Sequence, residues 1–208
     1  MSRVLPKALR AGSLALALLA SPALAQSQGE WTLGLGLANV NPKSDNGTLA
    51  GGTVPVSIGD STRPQITVEY FIRDNIGVEL LGALPFKHSI RSEGSEIGTV
   101  KHLPPVVSLQ YHFDATEQFK PFVGVGVNFT GFYDADARGP LEGADLRVKN
   151  SWGLAAHLGA DWWINDRAAV RADLRWIDID ADVLLNGTNI GKVEVDPVVV
   201  GISYVMKF

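Results

Sequence analysis

Every second side chain of the last eleven residues is apolar or aromatic: Val198, Val200, Ile202, Tyr204, Met206 and Phe208. Val199, Gly201, Ser203, Val205 and Lys207 between them form a smaller, mixed set. Side chains of an extended strand point alternately to its two faces, so this segment has one hydrocarbon-compatible face and one that is not. A tilted strand of about 9–11 residues crosses the apolar layer of a bilayer, and the length fits.

The pattern recurs along the chain. Trp31, Leu33, Leu35 and Leu37 alternate with Thr32, Gly34, Gly36 and Ala38; Ile66, Val68 and Tyr70 alternate with Gln65, Thr67 and Glu69. Further outward sets are Val78, Leu80, Leu84 and Phe86; Leu103, Val107, Leu109, Tyr111 and Phe113; and Val123, Val125, Val127 and Phe129. Trp152, Leu154, Leu158, Trp162 and Ile164 precede a seventh set of Val170, Ala172, Leu174 and Trp176. A soluble sandwich would carry a far more charged polar face and turns of similar length. The fold class expected is therefore all-β, an eight-stranded antiparallel up-and-down transmembrane β-barrel.

Connections alternate in length. Residues 73–75, 114–118 and 165–166 read as short polar turns, and 41–63, 87–101 and 131–149 as long Gly- and charge-rich loops, with 186–191 a shorter tip. In such barrels short turns lie in the periplasm and long loops outside, which places both termini in the periplasm. Aromatic girdles are expected from Trp31, Phe71, Phe113, Phe119, Trp162, Trp163 and Phe208 at the short-turn end, and from Phe86, Phe129, Trp152 and Trp176 at the other.

Residues 1–25 stand apart from this pattern. Arg3, Lys7 and Arg10 precede a short apolar run, and Ala23-Leu24-Ala25 is a small-x-small site, so 1–25 is expected to be a cleaved secretory signal and 26–208 the barrel. Removing those three positive charges takes the formal charge from −4 to −7. An acidic balance without a basic stripe argues against nucleic acid. The chain has no cysteine, and a closed barrel, whose backbone pairing is complete, needs no disulfides. The outer membrane of a Gram-negative bacterium follows, with lipid and lipopolysaccharide as surroundings. The strand ending in Phe208 is the expected contact of the barrel-assembly machinery.

The face opposite the lipid is charged: Glu69, Arg73, Glu79, His112, His157, Asp161, Arg171, Asp173, Arg175 and Lys207. An eight-stranded lumen holds side chains or one small ligand, and unpaired buried charges are costly. Glu69, Glu79, His157, Asp161, Arg171, Asp173 and Arg175 are therefore expected to pair into a polar plug; a proton or ion path would need a continuous file of water.

Past Trp176 the two faces exchange polarity. Asp178, Asp180, Asp182, Glu194 and Asp196 point outward while Ile177, Ile179, Val183, Val193 and Val195 point inward. With Pro104 and Val106, the residues Ile177, Ile179, Val193 and Val195 would line an apolar funnel above the plug, or else form a small core that closes the barrel top. Pro85, Pro104 and Pro105 sit near the outer ends of neighbouring strands. Proline cannot donate to a ladder, so these three mark a weak seam and a candidate lateral opening. The outward carboxylates suit calcium or magnesium by ligand type, but alternate outward positions make no closed cage, and neither metal nor cofactor is expected.

Several stretches together resemble the OmpW family of small outer-membrane proteins. They are Leu103-Pro104-Pro105, Leu109-Gln110-Tyr111-His112-Phe113, Lys120-Pro121-Phe122-Val123-Gly124, Ser151-Trp152-Gly153-Leu154-Ala155-Ala156, Trp176-Ile177-Asp178-Ile179-Asp180 and Val195-Asp196-Pro197. The resemblance spans essentially all of 26–208 and departs mainly in the long loops. It implies an eight-stranded barrel that passes small hydrophobic compounds into the outer membrane, as alkane-importing relatives do. The alternative is a structural or receptor barrel for phage, bacteriocin or adhesion, which a side-chain-filled lumen would favour. Catalysis is not expected. His157 with Asp161 and Ser108 with His112 share the inward face but lie about 13 Å apart along a strand, and His88 and His102 near Ser89 and Glu93 are suggestive only.

Overall fold

A computed structural model describes residues 26–208, and the expected signal segment 1–25 lies outside the described residues. The strands in chain order are β1 (Trp31–Asn41), β2 (Thr48–Leu49), β3 (Val54–Pro55), β4 (Ser57–Ile58), β5 (Ser61–Arg73), β6 (Ile76–Ala83), β7 (Phe86–Ser92) and β8 (Ser95–Leu103). They continue as β9 (Val106–His112), β10 (Phe119–Ala137), β11 (Leu146–Val148), β12 (Ser151–Asn165), β13 (Ala168–Ile177), β14 (Asp180–Leu185), β15 (Thr188–Glu194) and β16 (Val198–Lys207). Eight of them, β1, β5, β6, β9, β10, β12, β13 and β16, pair in an antiparallel ring. The ring closes where β16 meets β1, from Thr32 opposite Lys207 to Asn41 opposite Val198.

The outer surface of the ring carries the bare apolar side chains that the alternation predicts. Val125 is 65% exposed, Leu154 64% and Trp152 72%. A continuous band of that kind is stable against hydrocarbon rather than water, and it defines the membrane-spanning part. Gly159 shows how the narrow lumen is filled: a Cβ there would lie 2.5 Å from the Phe122 ring and 2.6 Å from the Ala172 carbonyl oxygen. Glycine in this strand lets an inward ring approach the backbone closely.

Three expected girdle aromatics are corrected. Phe71, Trp163 and Phe86 are buried, not lipid-facing. Tyr70 and Trp162 occupy the neighbouring outward positions, and adjacent strand residues cannot share a face. Arg73, expected within the lumen, is exposed, because the register slips between Phe71 and Arg73.

The long connections are also more ordered than irregular loops. β7 and β8 form a hairpin, β8 pairs with the extended outer half of β10, and β14–β15 form a second hairpin that β11 joins. Asn186 and Gly187 turn the second hairpin with φ of +50° and +80°, the conformation that an Asn-Gly turn favours. Trp176 faces Val198 and Asp180 faces Glu194, so one register runs from the membrane band into the outer hairpin. The exchange of face polarity past Trp176 thus occurs without a slip. Ile177, Ile179, Val193 and Val195 are buried, while Asp178, Asp180, Asp182, Glu194 and Asp196 stay on the outer side.

Candidate functional site

At the level of the membrane band the lumen is occupied by an ion-pair network. Arg171 donates from Nε to Asp161 Oδ1 at 2.6 Å, from Nη1 to Glu79 at 2.8 Å and from Nη2 to Glu69 at 3.2 Å. Its guanidinium also lies 4.6 Å from the centroid of the Phe122 ring. Arg175 donates to Glu79 at 2.7 Å and to Ser108 Oγ at 3.3 Å. His112 Nε2 donates to Glu69 at 2.8 Å, and its Nδ1 accepts from the Gln26 side-chain amide at 2.9 Å. Gln26 also reaches Asp161 at 3.2 Å. The result is one connected set from the short-turn end upward, in which each guanidinium is shared among partners; such sharing is what makes buried charge tolerable.

Of the seven residues expected in the plug, Glu69, Glu79, Asp161, Arg171 and Arg175 are joined directly. His157 and Asp173 are buried in the same lumen but outside the network: neither ring nitrogen of His157 has a hydrogen-bond partner, and Nδ1 stands 4.0 Å from Glu79. Gln26 and Phe122 were missed. Phe122 has the inward parity of Lys120 and Gly124 and was legible by phase; Gln26 precedes every strand and carries no periodic signal. Neither pair considered for catalysis is hydrogen-bonded. Ser108 takes its bond from Arg175, not His112, and His157 has none with Asp161.

Above the network the interior turns apolar. Ala38, Val40, Leu81, Phe86, Val106, Ile177, Ile179 and Val195 pack into one buried cluster. A second cluster at the loop end contains Val193 with Leu49, Ile90, Val100 and Val183. Within this second cluster, above the first, lies a cavity of about 40 Å³ whose walls include Val193, Val195, Ile58, Ile90, Val100 and Phe132. Val193 and Val195 thus line it, while Val106, Ile177 and Ile179 pack below and Pro104 is buried beside them. Small-molecule pockets usually measure several hundred Å³, roughly 300 or more, so this one is closed down.

The three prolines sit at a gap in the strand pairing of the barrel wall. The β6–β9 ladder ends where Leu81 faces Val106, and pairing resumes one residue out of step where Phe86 faces His102. Residues 82–85 and 103–105 face each other without ladder pairs. Each side instead bonds away from the seam: Leu84 N–H donates to Pro64 O at 2.9 Å, and Phe129 N–H donates to Pro105 O at 3.1 Å. Pro85, Pro104 and Pro105 have no N–H with which to close it.

Directly over that gap, beyond the membrane band, His88 and His102 face each other, with Nε2 atoms 3.0 Å apart. His88 Nδ1 is 2.5 Å from Gly59 O, and Phe86 and Phe132 lie against His102. Burial, reinforced by the neighbouring imidazole, holds His102 down to about 3, and burial also lowers His88. An unfolded imidazole titrates near 6.5, so as pH falls from about 6.5 toward 3 the open chain takes up protons that the closed hairpin refuses. Stability of the β7–β8 hairpin is thus complete above that window and falls within it. Hydrogen exchange, corrected for intrinsic rates, should show easier opening of these strands at pH 5 than at pH 7. His102→Phe should remove most of that difference; equal protection at both pH values would contradict the assignment.

Of the outward carboxylates, Asp178, Asp180 and Asp196 come within 4.8 Å of one another. Lys43 pairs with both Glu194 and Asp196, and Asp196 also accepts the Ile179 N–H at 3.1 Å, so these groups tie the hairpin to the chain after β1.

A closed antiparallel ring with a lipid-facing apolar band, a lumen filled by ion pairs and a tall, ordered loop end defines a small outer-membrane barrel. Residues 27–208 match the model of the OmpW family, and the chain belongs to that family. It is 39% identical over 168 residues to outer membrane protein W of Escherichia coli K12, covering 78% of this chain and 79% of that one. The dibenzothiophene metabolism operon protein PahQ of Pseudomonas aeruginosa is 29% identical over 202 residues, covering 91% and 93% respectively. The crystal structure of OprG from Pseudomonas aeruginosa superposes with a TM-score of 0.78 at 30% identity, covering 88% of this chain and 97% of that one.

Proposed function

We propose that this outer-membrane protein admits small hydrophobic compounds from outside the cell and releases them sideways into the membrane. The loop end with its hairpins faces outward, and both termini lie in the periplasm. A compound enters the apolar cavity, is stopped below by the Arg171 network, and leaves through the unpaired stretch between β6 and β9. The observation that carries this reading is the stacking of three features along the upper lumen: an all-apolar cavity at the top, an apolar cluster below it beside a break in the strand pairing, and the polar network as a floor. The name of the PahQ relative, which refers to dibenzothiophene metabolism, supports a hydrophobic cargo. Lys87, on the outward side of the β7–β8 hairpin opposite Lys101, which pairs with Asp134 at 3.0 Å, supports lipopolysaccharide phosphates as neighbours of the loop end.

The cavity volume favours a second reading. At about 40 Å³ the upper lumen is nearly filled by side chains, as a structural or receptor barrel requires. Uptake of dibenzothiophene into vesicles with a lipopolysaccharide outer leaflet separates the two. Such a leaflet slows entry through lipid alone, so vesicles carrying the refolded barrel should fill faster than protein-free ones. Equal rates would leave the receptor reading.

A further inference from the structure

The two histidines above the seam have no role in the ion-pair network, and their protonation pattern follows from their neighbours. The Gly59 carbonyl only accepts, so His88 Nδ1 carries the proton and donates to it. His88 Nε2 is then a bare acceptor, and His102 Nε2, 3.0 Å away, is the N–H that serves it. This leaves His102 Nδ1 as an unprotonated acceptor, fully buried and without a donor. A buried polar atom left unpaired is unfavourable, and a donor that reached it would gain its hydrogen bond with the desolvation already spent.

The apolar cavity adjoins this pair. Phe132 lines the cavity and stacks on His102, with ring centroids 5.5 Å apart and planes 16° apart. Val100, another wall residue, is the ladder partner of His88, and Ile58 precedes the Gly59 whose carbonyl holds it. The walls themselves offer no polar side chain, and the His102 imidazole stands directly behind one of them, the Phe132 ring.

We propose that the cavity and the His88–His102 pair form one binding site for hydrophobic molecules bearing a single hydroxyl, alcohols or phenols, whose O–H donates to His102 Nδ1. This rests on the uptake reading above and adds a preference to it. The apolar body occupies the space that opens as Phe132 and its neighbours move, and the hydroxyl ends on the imidazole. A plain hydrocarbon fills the same space but leaves Nδ1 unpaired. Because both imidazoles stay neutral at growth pH, Nδ1 remains an acceptor there. One hydrogen bond of ordinary net strength corresponds to about a fivefold preference for the alcohol over the matched alkane.

The test titrates the refolded barrel in lipid nanodiscs, labelled at histidine nitrogens and at valine and isoleucine methyls, with 1-octanol and separately with n-octane. Octanol should move the His102 Nδ1 resonance upfield and saturate the Val193 and Ile90 methyl shifts at about one fifth of the octane concentration. His102→Phe should respond equally to both compounds. The wild-type nitrogen shift decides the matter even if that variant does not fold. Octane and octanol shifting the methyls alike, with Nδ1 unmoved, would overturn the histidine assignment and leave uptake standing. Methyls unmoved by either compound would overturn the cavity as a binding site and the uptake reading with it.

Discussion

Arg171→Met is expected to lower the unfolding free energy of the barrel by about 3–5 kcal/mol, the cost of removing one partner from a buried ion pair. Arg171 is 2% exposed and bonds to Asp161, Glu79 and Glu69 at once. Methionine keeps much of the packing against Phe122, so the loss isolates charge from volume. Three carboxylates would then face one another in a narrow lumen, with Arg175 reaching only Glu79. Urea titration in lipid vesicles should show a lower midpoint at unchanged slope, and the compact form on unheated gels should weaken. A midpoint equal to wild type would mean that the lumen rehydrates freely and that the network is no plug. Ser108→Ala is the matched comparison: it removes only a 3.3 Å bond from Arg175 and should cost about 1 kcal/mol or less.

Ile177→Arg/Val195→Arg should reduce dibenzothiophene uptake to the rate of protein-free vesicles. Both side chains belong to the cluster under the cavity, and Val195 also lines it. Two guanidinium groups there cannot be desolvated without partners, so they draw water into the upper lumen and remove the apolar step between entry and seam. The membrane-spanning ladder begins just below, with Trp176 facing Val198, and its lipid-facing side chains are untouched. The variant should therefore still insert and give the compact gel form, which makes lost uptake informative. Unchanged uptake in a folded variant would move the route out of the upper lumen and return attention to the loop end as a receptor surface.

Much of this barrel was legible along the chain because each strand states its own two faces. Alternation at Leu35, Leu37, Val123 and Val125 located the lipid side, and its inversion past Trp176 located the apolar top, which one continuous register preserves. Both signals are local: a period of two survives whatever the strand pairs with. Parity also carried information that overlapping aromatic assignments obscured. Phe71 and Trp163 follow outward residues and had to turn inward, and Phe86 went inward because the chain breaks register at Pro85.

The sequence by itself determined the number of crossings, the face of nearly every strand residue, and the inventory of charges inside. Tertiary structure alone decided their partners. Arg171 meets Glu69 and Glu79 across a lumen from strands about a hundred residues earlier, at heights set by the tilt and stagger of the closed ring. The same closure brought Gln26 into the network, left His157 outside it, set the His88–His102 contact against Gly59, and shrank the cavity to about 40 Å³. Hydrophobic periodicity encodes which way a side chain points. Which other side chain it reaches depends on distances across the barrel, and those exist only once the ring has closed.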